Sequence, residues 1–431
     1  MNVRMRLAFL LGLALTAGSC APAAIDGPSD VSGPAASPAG PAATATPSRT
    51  AKAPVSNAES HEVDRFAQLA FHDGDFYDVP DPLPPGGRGT LMRLQPLQDN
   101  EVARVYRVLY HSKSVDSSDV AVSGTIWVPA GTPPPGGFPI VAWAPGNNGS
   151  GDPCAYSAPD DVTHIDYALG MFLLMKEGYV VAYTDYEGHG TRHPFLFAVG
   201  ESATHSLIDA ARAAQDLLGE VASDRVVIAG HSLGAAAAAA SLQYGPEYAG
   251  ELDIRGVLVI EGGVDVADTV ADAGAGGNPR EVVQGIVGWA AAYPELDAAD
   301  LLTPQALRDS RSIEKSCDVA WTFEGRPTED VFIADPTDVA SWDDRIEASR
   351  VNRAPFPAFF VVAPTSDPHV DDIRAVARRL CHVSDAVRFE SYPGSDHDDV
   401  LQVALRDYLA WIADRFAGKP ATGNCGTSDL T

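Results

Sequence analysis

Lysine is scarce in this 431-residue chain: five lysines and 25 arginines face 58 acidic side chains, for a formal net charge of -28. A surface of that sign repels phosphate backbones and anionic headgroups, and no basic stripe interrupts it, so nucleic acid is a poor partner class. Long hydrophobic runs are missing as well. The amino-terminal apolar run, Leu7 to Leu15, has nine residues and is too short to span a bilayer. Cysteine occurs only five times, and the length alone excludes a miniature disulfide scaffold. Residues 21–60 contain no aromatic side chain. Built from Ala, Pro, Ser, Gly and Thr, they cannot bury enough apolar surface to offset ordering entropy, and read as a proline-stiffened tether. Elsewhere the composition is that of a globular protein, with 45% apolar and 20% charged residues over the chain, enough to close a core. The length fits two to three domains, or one large α/β domain with an insertion.

Arg4 and Arg6 precede the apolar run, and Thr16-Ala17-Gly18-Ser19 lead to Cys20. This charged, apolar, small-residue order is that of a secretory signal over residues 1–19. Ala17-Gly18-Ser19-Cys20 resembles the lipobox of bacterial lipoproteins, in which cleavage before the cysteine is followed by lipidation of its sulfur. Cys20 is then a membrane anchor, residues 20–60 are its tether, and the protein is extracytoplasmic. The alternative is ordinary cleavage a few residues later, with Cys20 discarded. Removing Cys20 leaves Cys154, Cys317, Cys381 and Cys425, an even set that an exported protein is expected to pair. Three connectivities exist; we expect Cys154 with Cys317 and Cys381 with Cys425, the second tying down the tail at 421–431.

Alternating and β-branched residues from Ala103 to Tyr110 and from Val120 to Val128 predict a hairpin, and Phe138 to Trp143 a short buried strand. Helix and strand then alternate. Helices are expected over Ile165 to Lys176, Ala203 to Leu218 and Gly234 to Gln243, and buried strands over Tyr179 to Thr184, Arg225 to Ala229 and Val257 to Ile260. The six alanines after Gly234 favour a helix that packs closely on a sheet. Such alternation implies an α/β fold, a mostly parallel sheet with helices on both faces. After Val264 the pattern breaks for about ninety residues, too long for a plain loop, so 264–352 is read as an inserted, mainly helical subdomain with helices around Arg280 to Ala292 and Asp297 to Arg308. The core, 61–263 and 353–420, closes with a strand Phe356 to Val362, a helix Asp371 to Cys381, a strand Val387 to Tyr392 and a helix Asp399 to Phe416.

Gly230-His231-Ser232-Leu233-Gly234 has the G-x-S-x-G form, directly after an apolar strand and directly before the alanine helix, where a nucleophile elbow lies. Side chains at positions 230 and 234 would collide with the close-packed turn, which is the physical task of Gly230 and Gly234. A serine hydroxyl needs a positioned base, itself oriented by an acid. Asp367 follows the strand ending Val361-Val362-Ala363, at the carboxyl end where α/β sheets place their sites, and His397 lies in the loop after the last strand. The order Ser232, Asp367, His397 is that of an α/β-hydrolase triad. Asp371 and Asp372 are alternatives to Asp367 but begin a helix, where acids favour the dipole. His369 and His382 are weaker candidates for the base. The run Asp396-His397-Asp398-Asp399 has no second ligand cluster, so no metal is expected. Two backbone N–H donors must face the oxyanion. Leu233 supplies one, and Asn147, in Pro145-Gly146-Asn147-Asn148-Gly149, is chosen for the other because Pro145 has no N–H, with Asn148 close behind it.

At these residues the chain resembles the secretory lipase family of α/β-hydrolases, which includes fungal and actinobacterial secreted lipases. Phe76-Tyr77 with the proline-rich stretch from Pro80 to Pro85, Trp143 to Gly149, Asp185-Tyr186-Glu187-Gly188-His189-Gly190-Thr191 with His193-Pro194, and the elbow itself carry the likeness over about residues 66–416. The resemblance implies hydrolysis of acylglycerols or simpler carboxylic esters, with Ser232, Asp367 and His397 as triad and a helical lid from the insertion. It also implies a disulfide near the oxyanion loop, since Cys154 matches a family cysteine. Many bacterial relatives carry histidine where this chain has Pro145.

The leading expectation is therefore a secreted serine esterase or lipase acting on a small-molecule or lipid ester, with no cofactor and with membrane contact only through Cys20. The same triad can serve amides or aromatic and polymeric esters. A non-catalytic lipoprotein that kept the fold for binding is the other class, against which the complete triad and both elbow glycines stand.

Overall fold

Runs of β-branched and apolar residues fold as β1 (Leu91–Asp99), β2 (Ala103–Lys113), β3 (Asp119–Pro129), β4 (Phe138–Ala144), β5 (Val180–Thr184), β6 (Ala222–His231), β7 (Asp253–Ile260), β8 (Phe359–Pro364) and β9 (Val387–Tyr392). They form one nine-stranded sheet in the order β1-β2-β3-β5-β4-β6-β7-β8-β9. The first three strands pair antiparallel, β3 pairs antiparallel with β5, and every pair from β5 to β9 is parallel. The computed structural model describes residues 68–99, 103–160, 168–262, 265–271, 279–313, 317, 323, 325–427 and 430. The expected signal segment, the tether and Cys20 lie outside the described residues, and among those described no helix is long and apolar enough to cross a membrane.

Period-2 alternation divides the buried strands between two cores. On β6, Val226 and Ile228 face one side, where α2 (Gly200–Leu218) and α3 (Leu233–Ala249) pack, and Val227 and Ala229 face the other. That second side is covered by α1 (Ala168–Lys176) and by the last helix, through Met171, Leu174, Trp411 and Ile412. Each aliphatic side chain sealed this way contributes about 1.5–3 kcal/mol. The alanines of α3, residues 235–240, are all at most 2% exposed, and their small size lets α2 approach so closely that a Cβ on Gly200 would stand 2.9 Å from the Ala240 methyl.

Between β7 and β8 the described residues form the helices α4 (Val266–Ala271), α5 (Pro279–Ala292), α6 (Pro304–Ser310), α7 (Thr328–Val331) and α8 (Ala340–Ser349). After β8 come α9 (Val370–Cys381), α10 (Val400–Val403) and α11 (Leu405–Phe416). Cys154 is bonded to Cys317 and Cys381 to Cys425, the expected pairing.

Three expectations need correction. A strand, β1, precedes the hairpin; its Pro96 sits beside a register shift on the sheet's edge, where a residue without an N–H is tolerated, and this hid it from the pattern. The expected helix Asp297 to Arg308 is a short turn at Ala298–Asp300 followed by α6, because Pro304 starts a new helix with Thr303 as its cap, whose side chain accepts from the Ala306 N–H. The expected helix Asp399 to Phe416 is broken into α10 and α11 at Ala404, which is fully buried and marked by no helix breaker in the sequence.

Candidate active site

Strand β6 ends at His231 and α3 begins at Leu233, leaving Ser232 alone at the turn with φ 59° and ψ -123°. A non-glycine residue in such a conformation costs about 1–3 kcal/mol and persists only where its surroundings enforce it. Here they do. The Ser232 N–H donates to the carbonyl oxygens of Glu261, at 2.8 Å, and Ile260, at 3.2 Å, so the elbow is stitched to the end of β7. A Cβ on Gly230 would lie 2.0 Å from the Gly234 carbonyl oxygen, and one on Gly234 would lie 1.9 Å from that of Ala144. Gly262, with φ +121°, packs its backbone against that of Ser232 in the same way.

Ser232 Oγ lies 3.0 Å from His397 Nε2. The other imidazole nitrogen, Nδ1, faces two carboxylates: Glu261 Oε2 at 2.5 Å and Asp367 Oδ2 at 3.6 Å. Asp367 stands after β8, where its Oδ1 accepts from the His369 N–H at 2.8 Å, and its side chain is 6% exposed. Glu261 stands directly after β7, is fully buried, and has a positive φ of 44°. Burial pushes its carboxyl above its ordinary pKa, against the pull of the neighbouring imidazole. Burial lowers the His397 pKa, and the contact with Glu261, followed by the charges of Glu261, Asp367 and Asp398, more than reverses this and carries it up to about 9.

The structure brings Ser232, His397 and Asp367 to one place, and with them Glu261, which was not among the acids expected from the sequence. The signal was available, since an acid closing an otherwise apolar strand is the rule that selected Asp367. Nor was His231 expected, whose Nε2 lies 3.0 Å from the His397 carbonyl oxygen. A carbonyl only accepts, so Nε2 carries the hydrogen and holds the loop of His397 in place. Burial, then the charge of His397, lowers the His231 pKa to about 3, which keeps this imidazole neutral. The ligand atoms of His231, Glu261 and His397 all lie within 4.8 Å of one another. With Nε2 of His231 donating, that atom has no lone pair for a cation, and the remaining two groups fall short of the three or four ligands of a zinc site. Asp371 and Asp372 begin α9, and His369 caps it, facing Asp372 at 3.7 Å.

Leu233 is the first residue of α3, so its N–H has no intrahelical partner and points with the helix dipole toward Ser232. Asn147 lines the same cavity as Ser232 and Leu233. Its side chain accepts from the Gly149 N–H and donates to Gln284 Oε1 of α5 at 3.0 Å, while Gln284 Nε2 donates to Ser150 Oγ at 2.5 Å. Helix α5 is thus hydrogen-bonded to the loop that carries Asn147. From behind, Tyr186 donates to the Pro145 carbonyl at 2.6 Å, and buried Asp185 accepts from Ser123 and from the hydroxyl and N–H of Ser157. Within the conspicuous stretch from Asp185 to Thr191, Tyr186 braces that loop and Asp185 ties the stretch to Ser123 and Ser157; none of its residues lines the cavity over Ser232.

The cavity over Ser232 has a volume of about 230 Å³ and is lined on the α4 and α5 side by Asp268, Thr269, Glu281 and Val282, and on the other by Asp367, His369 and Asp372. Five carboxylates stand at its wall, Glu261 among them, with Asp268 ion-paired to Arg350 and Glu281 to Arg280, and their sign disfavours an anionic ligand.

A family model, Secretory lipase, matches residues 161–424, more than half of the chain. A Lipase A of Arthroderma benhamiae is 24% identical over 380 residues, 79% of this chain and 76% of that protein. A Lipase A of Moesziomyces aphidis is 25% identical over 244 residues, 52% of this chain, and the match spans about half of that protein's length. Among solved structures, Candida antarctica lipase A in its closed state superimposes with a TM-score of 0.70 at 20% identity, covering 82% of this chain and 88% of the other. The cell wall degrading esterase LipA of Xanthomonas oryzae gives 0.62 at 16% identity, covering 77% and 98%. These structural likenesses carry the α/β-hydrolase fold, and the family match carries the membership: the chain belongs to the secretory lipase family, whose members are carboxylic ester hydrolases.

Proposed function

We propose that the protein hydrolyses neutral carboxylic esters through an acyl-enzyme on Ser232. The observation that carries this reading is the 3.0 Å contact between His397 Nε2 and Ser232 Oγ, on an elbow strained and enforced as described. His397 takes the hydroxyl proton as Ser232 Oγ bonds to the ester carbonyl carbon, and the carbonyl oxygen becomes an oxyanion facing the N–H groups of Leu233 and Asn147. When the tetrahedral intermediate collapses, the carbon–oxygen bond to the alcohol breaks and His397 returns the proton to the leaving oxygen. Water then repeats the sequence and releases the acid. Asp367 orients His397, and the mechanism needs no cofactor.

A cavity of about 230 Å³ is smaller than ordinary ligand sites of about 300–1,000 Å³. Short acyl chains fit it as it stands, and longer ones need the helices of the insertion, α5 first, to move as a lid. The acidic wall favours triacylglycerols and simple esters over anionic lipids. We also propose export, with Cys20 as a lipid anchor and residues 20–60 as the tether.

A panel of p-nitrophenyl esters of increasing chain length, run beside peptide amides and beside Ser232→Ala, tests the reading. Turnover of esters that falls with chain length and vanishes in Ser232→Ala is expected. Turnover of amides alone, or activity retained without Ser232, overturns it. Cys20→Ala should release the protein from the membrane fraction.

A further inference from the structure

Resting on the reading of Ser232 and His397 just given, the geometry points to Glu261 as a second acid of the site: a positioning residue that holds His397 Nδ1 and, jointly with Asp367, balances the charge of the imidazolium formed as Ser232 attacks. Three observations carry this. The Glu261 carboxylate is the nearer of the two, 2.5 Å from Nδ1 against 3.6 Å for Asp367. Asp367 has a backbone partner in the His369 N–H, whereas among the described residues the carboxylate of Glu261 has only the His397 imidazole close against it, the Nε2 hydrogen of His231 being given to the His397 carbonyl. A fully buried carboxylate kept without further donors is costly, and the imidazole is the group that offsets it. Third, Glu261 joins β7 to the elbow. Its N–H donates to the Val362 carbonyl on β8, its carbonyl accepts from the Ser232 N–H, and its own φ is positive, a strain of the sort retained at functional positions.

The groups facing His397 come from four elements. Glu261 is at the end of β7 and Asp367 follows β8; His231 and Ser232 form the elbow, and Asp398 lies on the same loop as His397 itself. His231 donates to the His397 backbone, so the charge on the Nδ1 side is carried by the two acids. Two carboxylates around one imidazole hold its proton to higher pH than one does. Removing the Glu261 charge while keeping its shape lowers the pH at which the base becomes available and weakens support of the imidazolium.

The test is the pH profile of kcat and kcat/KM for a short-chain ester in Glu261→Gln, Glu261→Asp and Asp367→Asn, with fluorophosphonate labelling of Ser232 as a control. In Glu261→Gln the acid limb is expected to move down by about 1–3 units, the effect of one opposite charge at this range. Its limiting kcat should fall at least tenfold with KM little changed, while Glu261→Asp moves the limb back up. A limb and kcat that match the parent's, with Ser232 still labelled, overturn the role of Glu261 and leave the ester-hydrolase reading intact. Activity without Ser232 instead removes that reading itself. Should Glu261→Gln fail to fold, Asp367→Asn decides: a loss well short of about 10⁴-fold in kcat supports the shared role, and a loss of that full size, as when an orienting acid has no understudy, overturns it.

Discussion

The charge arrangement around His397 predicts an alkaline enzyme. Only the neutral imidazole can accept the Ser232 proton, and the pKa of about 9 means that most of the free enzyme at neutral pH holds His397 as imidazolium. The sign follows directly: raising the pH removes that proton and creates the base, so kcat/KM rises with pH and levels above 9. At pH 7, two units below, about one molecule in a hundred carries the competent base, and at pH 8 about one in ten, so the free-enzyme profile should climb close to tenfold per unit between them. Initial rates on a short-chain triacylglycerol, followed by acid release at constant pH from 6 to 10 with Ser232→Ala as the blank, measure this limb. A profile already flat at pH 7 would mean that His397 titrates near its ordinary 6.5 and that its contact with Glu261 and the charge of Asp367 do not hold its proton.

Other parts of the structure give equally definite expectations. Gly234→Ala places a methyl 1.9 Å from the Ala144 carbonyl oxygen, so the elbow must shift; a stability loss of about 1–3 kcal/mol in denaturant melts, and loss of turnover, are expected. Gln284→Ala removes the link between α5 and the loop of Asn147 and leaves the Asn147 amide without its acceptor, a cost of about 1–3 kcal/mol that should appear as a roughly 5- to 150-fold fall in kcat/KM for short esters. Replacing both Cys381 and Cys425 by serine frees a segment of 44 residues and should cost about 4 kcal/mol, read as a lower denaturation midpoint.

Most of the parallel sheet was legible because its strands are buried on both faces: β4, β5 and β8 consist entirely of buried residues and read as short apolar runs. The edge strand β1 was not, since one proline and a half-exposed face erase the alternation. Ser232 could be read because the elbow imposes glycine at two fixed offsets, and His397 because chain order limits the choice. Glu261 could not be ranked against Asp367 from sequence: both follow apolar strands that end at the same edge of the sheet, and their distances to Nδ1 depend on how far each backbone carries its side chain past the elbow. Gln284 is a further case, a polar residue on an amphipathic helix whose partners, Asn147 and Ser150, lie more than 130 residues earlier. Nothing local marks it, because its role exists only once α5 is docked.

Everything proposed for this site depends on Ser232 being an activated nucleophile. The most direct test is to label the purified protein, disulfides intact, with a fluorophosphonate at pH 9 and to map the modified peptide. Modification at Ser232, slowing as the pH falls and lost in His397→Gln, is the predicted result. Folded protein that takes up no label, or label carried on another residue, would mean that Ser232 is not the nucleophile.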